Sequence, residues 1–244
     1  MDFGALENGT FVEYTDSRSL KPRWLAMTTI LSPPDQRVTL RQLSWETYQR
    51  LLLEHADASS PRFTFDRGVL EIMSPSAEHE RHNLRIVDLI GVLADEMNLD
   101  VEGLGATTFT REDLERGFEA DSCFYVQNVD KIRNKERIDL ATDPPPDLVI
   151  EIDITNPSIN KLALYKEFGV PEVWRYDGDR LEMLRLGDDQ YEATEESVAF
   201  PGASATALTR LLQQGKALGR TSWLRMTRAW AHERYGGSEG QSFT

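Results

Sequence analysis

The chain has 244 residues, 40% of them hydrophobic, which is enough for one sizeable domain with extensions or at most two small domains. A single cysteine, Cys123, excludes an internal disulfide framework and favours the reducing cytoplasm, and no apolar run approaches the roughly 20 residues of a membrane span. The formal charge of -14 argues against non-specific nucleic-acid binding, although local basic patches can still act.

Hydrophobic periodicity and turn residues predict a mixture of helices and strands. Residues 1–35 have little periodicity, and we expect them to form a loose N-terminal arm. After the arm we expect, in chain order, a helix over 43–55, a hairpin over 62–73, a helix over 77–97, strands over 99–104, 107–110, 119–127 and 147–155, a helix over 159–168, a strand over 172–176, a hairpin over 180–194, and helices over 204–214 and 222–235. This order predicts an α/β (α+β) fold with a mixed central sheet flanked by helices.

Particular residues define the ends and faces of these helices. Ser44 is the expected N-cap of the first helix, and Ser158 that of the helix over 159–168. The long helix is expected from the helical period of an apolar stripe made by Leu84, Val87, Ile90 or Gly91, and Ala94. We divide the chain into the arm, a core domain, a C-terminal helical extension and a disordered tail, with bounds 1–35, 36–205, 206–236 and 237–244.

The strand over 147–155 alternates with period two and carries Asp147, Glu151 and Asp153 on one face. Neighbouring carboxylates on one face of a strand repel each other, and a divalent cation would remove the repulsion. A solvent-facing acidic strand is the alternative interpretation, and the spacing does not separate the two.

Asp121 near the start of the preceding strand provides a second carboxylate that could share a metal ion with Glu151. Lys161 falls in the first turn of the following helix, where a cation opposes the helix dipole. This placement would be explained if Lys161 reached back toward Glu151 to orient a water molecule. A solvated helix lysine is the alternative.

The first turn of the long helix carries Glu78 and His79, either of which could complete the site. Simple compensation of the helix dipole also explains an acid at this position, and His79 could be a metal ligand, a proton carrier or a hydrogen-bonded residue at the helix start. The loop over 130–146 carries a basic run that could contact phosphates: Lys131, Arg133, Lys135 and Arg137.

Several spaced segments of the chain, over residues 38 to 215, resemble the Uma-two family of the PD-(D/E)XK restriction-endonuclease-like superfamily. The matching segments are Glu71–Pro75 with Glu78–His79, Gly117–Asp121 with Phe124–Tyr125, Pro145–Ile152, Lys161–Leu162 with Tyr165, and Gly169–Trp174. The resemblance implies a restriction-endonuclease-like core with an extra N-terminal hairpin and C-terminal helices.

The resemblance also implies a catalytic site. Asp121 and Glu151 would be its metal-binding acids, with Mg²⁺ or Mn²⁺ as cofactor and DNA as substrate. The lysine that the superfamily keeps two residues after the second acid is Asp153 in this chain. Lys161 resembles a migrated form of that lysine. If the lysine has not migrated, the chain could be a nuclease scaffold without nuclease activity.

Three functions therefore remain open at the level of the sequence. The first is a metal-dependent endonuclease with Asp121, Glu151 and Lys161 as catalytic residues. The second is an inactive binding or scaffold protein, which the charge of -14 and Asp153 favour. The third is a toxin-like or mobile-element protein with a protein partner. A stripe of Trp223, Met226 and Trp230 could be the face of a homo-oligomer or part of the core.

Overall fold

The structure, a computed structural model, describes residues 35–236 apart from 57, 59 and 154–158, together with the backbone of two short strands near the N-terminus. These two strands, β1 (Phe11–Tyr14) and β2 (Arg23–Ala26), pair antiparallel within residues 1–33, which form a unit separate from 34–244. The expected arm therefore contains a hairpin. The expected cap Ser158 and the tail 237–244 lie outside the described residues. No helix in the described part of the chain is long and apolar enough to cross a membrane.

Five strands form an antiparallel sheet, in the spatial order β3, β5, β4, β8, β7. Their bounds are β3 (Gln36–Arg41), β4 (Arg62–Asp66), β5 (Val69–Ser74), β7 (Thr108–Arg111) and β8 (Arg116–Glu119). The expected hairpin is β4 and β5, joined by Arg67 and Gly68. Both residues have positive φ, 43° and 88°, which matches the twist of the flanking strands.

Six strands form the second sheet, in the spatial order β13, β12, β11, β10, β9, β6. Their bounds are β6 (Glu102–Gly105), β9 (Ser122–Tyr125), β10 (Leu148–Ile152), β11 (Glu172–Tyr176), β12 (Leu181–Leu186) and β13 (Tyr191–Thr194). β10 and β11 are parallel and the other pairs antiparallel, so the expected mixed sheet is confirmed.

In the described residues six α-helices pack on the two sheets: α1 (Trp45–Glu54), α2 (Ala77–Met97), α3 (Val129–Ile132), α4 (Lys161–Phe168), α5 (Ala205–Ala217) and α6 (Arg220–Tyr235). One face of the six-stranded sheet packs on α2, α5 and α6, and its other face on α3 and α4. α1 covers the five-stranded sheet. Helices therefore flank the sheets as the sequence predicts.

The structure corrects three details of the sequence analysis. The single strand expected over 119–127 is two strands in different sheets, and the chain crosses from one sheet to the other at Ala120 and Asp121. Leu84 is 60% exposed, because α2 is rotated so that Ile86, Leu89 and Leu93 face the core. The helix after β10 is capped by Asn160, whose side chain accepts a hydrogen bond from the Ala163 N–H.

The C-terminal helices belong to the main core. Leu208 and Leu212 of α5 and Trp223 of α6 lie in the same buried cluster as Ile150 of β10. Trp223 is fully buried and donates a hydrogen bond to the Leu211 carbonyl, and Met226 and Trp230 pack against this cluster. The aromatic stripe of α6 is therefore a packing surface within the chain, and residues 206–236 share a core with the preceding domain.

Candidate active site

Asp121 and Glu151 lie opposite each other where the chain passes from one sheet to the other. β9 and β10 pair antiparallel, with Ser122 beside Ile150, and one further step of the same register brings Asp121 opposite Glu151. Directly opposed residues have Cβ atoms about 4.5–5.5 Å apart. Asp121 is 1% exposed, so its charge and that of Glu151 interact through protein more than through water.

Asp121 is held by donors from three other elements. Its Oδ1 accepts hydrogen bonds from Arg62 Nη1 of β4 and from His79 Nε2 of α2, the latter at 2.9 Å. Its Oδ2 accepts the Ile152 N–H at 2.6 Å, at the end of β10. Burial opposes ionisation, but the hydrogen bond from His79 and the charge of Arg62 outweigh it and lower the pKa of Asp121 to about 2. Asp121 is therefore a carboxylate at neutral pH.

A second layer of polar groups fixes these donors. The Nδ1 of His79 lies 2.9 Å from Asp35 Oδ2, so the imidazole bridges two carboxylates. Burial alone would lower the pKa of His79, but its contacts with Asp121 and Asp35 outweigh that effect and raise it. Arg62 also pairs with Glu80 through Nη2. Each charged group around Asp121 thus has an opposite charge beside it.

Glu151 is held by the first turn of α4. Lys161 Nζ donates to Glu151 Oε2 at 2.8 Å, and the Tyr165 hydroxyl donates to Oε1. Burial and the charge of Asp121 raise the pKa of Glu151, against the opposing effect of Lys161. Burial would lower the pKa of Lys161, but the charges of Glu151 and Asp121 overcome it and raise the pKa. The lysine therefore reaches back from the helix start to the strand, as the sequence analysis required of it.

The two carboxylates are chemically suited to a divalent cation. Asp121 Oδ1 accepts two hydrogen bonds from described residues, whereas Asp121 Oδ2 and both oxygens of Glu151 accept one each. A carboxylate oxygen can accept two, so three of the four oxygens keep a free lone pair. Among the residues that the structure describes, no cluster of three or more His, Cys, Asp or Glu is arranged to hold a metal. The donor set fits a hydrated Mg²⁺ or Mn²⁺ ion, which keeps several water ligands.

The other acids of the sequence analysis lie apart from this pair. Glu78 is 54% exposed and faces His82 at 3.9 Å. Asp147 accepts hydrogen bonds from the Val126 and Asn128 N–H groups at the opposite end of β10. Asp153 follows β10 and lines the cleft beside Glu151. The face of β10 that was expected to be acidic faces the protein interior, since Val149, which lies between Asp147 and Glu151 on that face, is fully buried. Cys123 packs in the core with its thiol 3.4 Å from the Gly105 carbonyl.

The basic run begins at the other end of β9 and β10 from Asp121 and Glu151. Arg133 pairs with Asp100 and Asp130, and Lys135 pairs with Asp143. Lys131 donates to the Asn128 side chain, and Arg137 lines a separate groove beside α1. The fold therefore does not bring this run together with the acidic pair.

Sequence reasoning assigned no role to Asp35, Arg62 or Tyr165. Tyr165 follows Lys161 by four residues on α4, so helical spacing alone places both on one face. Asp35 and Arg62 carry no comparable signal, since each reaches the site from an element far away in sequence.

The chain is similar to one known protein family and to a solved structure. The model of the Uma2 family, described as "Putative restriction endonuclease", matches residues 45–217. A crystal structure of a "putative nuclease belonging to DUF820" from Anabaena variabilis ATCC 29413 is 15% identical, with a TM-score of 0.46, and the alignment covers 75% of this chain and 99% of that one. No curated protein matches the sequence.

Proposed function

Because the chain belongs to the Uma2 family, we propose that it is a metal-dependent endonuclease that hydrolyses phosphodiester bonds in DNA. The observation that carries the proposal is the opposition of Asp121 and Glu151 across two strands, with Lys161 Nζ 2.8 Å from Glu151. Two acids that can hold a metal ion and a lysine beside them are the groups that metal-assisted hydrolysis of a phosphodiester uses.

Asp121 and Glu151 would hold Mg²⁺ or Mn²⁺, which when bound supplies Lewis-acid polarisation of a phosphate and activation of water. Arg62 and His79 lower the pKa of Asp121 and so keep it ionised, whereas Lys161 opposes the rise in the pKa of Glu151 that burial and the charge of Asp121 cause. Tyr165 fixes the second oxygen of Glu151, so the carboxylate has one preferred orientation. Lys161, which contacts Glu151, would also orient the attacking water and stabilise the charge that develops on the phosphate.

A nuclease-fold binding protein without turnover is the second candidate. Asp153 occupies the position where the superfamily keeps its lysine, and Arg62 already neutralises Asp121 from within the chain. In that case the acidic pair would be a structural ion network, and the protein would act through a protein partner.

Cleavage assays separate the two candidates. Supercoiled DNA, linear DNA and single-stranded RNA are incubated with the full chain and Mg²⁺ or Mn²⁺. We expect the wild type to cut DNA, and Asp121→Asn and Glu151→Gln to lower the rate by about 100-fold or more. Glu78→Gln, which also removes one acid but at an exposed position, should keep full activity.

Absence of cleavage by the wild type on DNA would refute the endonuclease proposal and favour the binding protein. Equal cleavage by the wild type and Glu151→Gln would refute the assignment of the site. Preferential cleavage of RNA would move the substrate to RNA without changing the chemistry.

A further inference from the structure

Arg175 lies beside Glu151 on the neighbouring strand. β10 and β11 are parallel, and Glu151 is in register with Arg175. The same face of both strands carries Val149 and Val173, which are buried in one cluster. On this face of β11, Val173 is buried but the Arg175 side chain is 40% exposed. Arg175 therefore lies at the protein surface beside Glu151.

Arg175 and Glu151 line a cleft of about 100 Å³ together with Lys161, Tyr165 and Arg37. A cleft of this volume has room for several waters or for one group the size of a phosphate. Its lining includes four aliphatic side chains: Ile152, Ile159, Leu162 and Val173. Its carboxylates, Glu151 and Asp153, repel an anion unless cations lie close by.

Among the described cations that line the cleft, Arg175 is the best placed to take a new partner. Lys161 is committed to Glu151, and Arg37 to the buried Glu71, each at 2.8 Å. Arg175 uses Nη2 on Glu182 Oε2 at 2.6 Å. An arginine carries five N–H donors in a planar fork that suits a phosphate. Its ion pair with Glu182 is partly exposed, and such pairs are weak.

We propose that Arg175 is a substrate-binding residue that holds a phosphodiester group of the nucleic acid beside Glu151 and Lys161. The inference rests on the proposed endonuclease function. Glu182 holds the guanidinium at the rim of the cleft before substrate arrives and competes with the phosphate for it. The competing interpretation is a cross-strand ion pair that only stabilises the joint of β11 and β12.

The test measures binding of a fluorescein-labelled, phosphorothioate-substituted DNA duplex to the full chain in Mg²⁺ or Mn²⁺, by anisotropy over a range of salt concentrations. Arg175→Ala should weaken binding by at least about 10-fold and reduce the slope of log affinity against log salt by about 0.9, the share of one phosphate contact. Arg175→Lys should restore most of the slope. Glu182→Gln should bind more tightly than the wild type, because it frees Arg175.

Arg111→Ala is the matched control. Arg111 lies on β7 in the other sheet, pairs with Asp113 through two hydrogen bonds of 2.7 Å, and is 26% exposed. Its removal changes the net charge equally, and we expect affinity and salt slope to stay at their wild-type values. Thermal melting confirms that each variant is folded.

The outcomes distinguish this inference from the proposed function. Unchanged affinity and slope in Arg175→Ala, with cleavage retained, would overturn the role of Arg175 alone. Weaker binding by both Arg175→Ala and Glu182→Gln would also overturn it, because a purely structural ion pair is broken by the loss of either partner. A wild type that binds no duplex would overturn both proposals.

Discussion

Asp121 and Glu151 lie opposite each other on paired strands and are largely buried. Basic side chains beside each carboxylate offset the repulsion between them. Arg62 and His79 lie on Asp121, and Lys161 on Glu151. Each carboxylate also has a partner that fixes its orientation: the Ile152 N–H for Asp121 and the Tyr165 hydroxyl for Glu151. The site is therefore preorganised and charge-balanced by groups of the chain itself.

The contribution of His79 to stability depends on pH in a direction that its environment sets. Its pKa is raised in the folded protein, because Asp121 and Asp35 outweigh burial. The stabilisation is thus fully present below the unfolded pKa of about 6.5 and is lost as the pH rises through the folded pKa. We expect His79→Gln to lower the free energy of unfolding by about 1–3 kcal/mol at pH 6 and by less at pH 9. Urea titrations with EDTA at both pH values measure this.

His232→Gln is the control for that experiment. His232 also lies 2.9 Å from a carboxylate, that of Glu96, but its ring is 71% exposed. Water screens this pair, and we expect a change of no more than about 0.5 kcal/mol at either pH. A loss in His79→Gln that is equal at both pH values, or larger at pH 9, would show that His79 acts only as a neutral hydrogen-bonding group.

β8 approaches α1 so closely that one residue must be glycine. A Cβ added to Gly117 would overlap the Tyr48 hydroxyl and lie 2.9 Å from two of the ring carbons. Tyr48 is fully buried and stacks on Phe65 at 4.8 Å, so it cannot swing away. We expect Gly117→Ala to destabilise the protein by about 1–3 kcal/mol, as overpacking does.

Gly91→Ala adds the same methyl group to α2 without a clash, since in the described part of the chain no atom beyond its chain neighbours and the nearby helix backbone lies within 4 Å of the Cβ position. There the loss of backbone freedom in the unfolded chain should stabilise the protein by about 0.5–1 kcal/mol. Thermal or urea unfolding of the two variants therefore shifts in opposite directions. A neutral Gly117→Ala would mean that α1 and β8 are less tightly packed than the structure indicates.

Local patterns predicted most of these elements, because period-two strands, the Asp66–Gly68 turn and the 3.6-residue period act over a few residues. The contact between Lys161 and Glu151 could also be predicted, because a strand and the helix that follows it are close in sequence. The break between β8 and β9 at Ala120 could not be predicted, because the sequence pattern of a strand does not show whether its residues pair within one sheet or in two. Arg62 and Asp35 were missed because only the folded chain brings Arg62 to Asp121 and Asp35 to His79.

The chain as a whole carries a formal charge of -14, yet its proposed substrate is a polyanion. Long-range attraction therefore cannot bring the two together, and short-range cations must do so. The structure places Lys161 and Arg175 at the cleft beside Glu151, whereas Arg133 and Lys135 are paired with acids elsewhere. Binding should accordingly depend on a divalent cation as well as on these side chains.

Metal binding should also stabilise the whole fold. Asp121 and Glu151 come together only when β9 pairs with β10, so the unfolded chain lacks the site. A ligand that binds only the folded state at 100 times its Kd adds about 2.7 kcal/mol to the free energy of unfolding. For a chain of this size that corresponds to a rise in melting temperature of about 5–10 °C in saturating Mg²⁺ or Mn²⁺.

Asp121→Asn should abolish this rise, measured against the metal-free melting temperature of the same variant. Glu78→Gln provides the control, because it removes one negative charge from an exposed position and leaves the acidic pair intact. Cations that bind diffusely to so acidic a chain also raise its melting temperature. Both variants lose the same charge, so this non-specific rise is the same in the two and cancels in the comparison. An equal rise in both variants would show that the cations act on the overall charge and that Asp121 holds no metal.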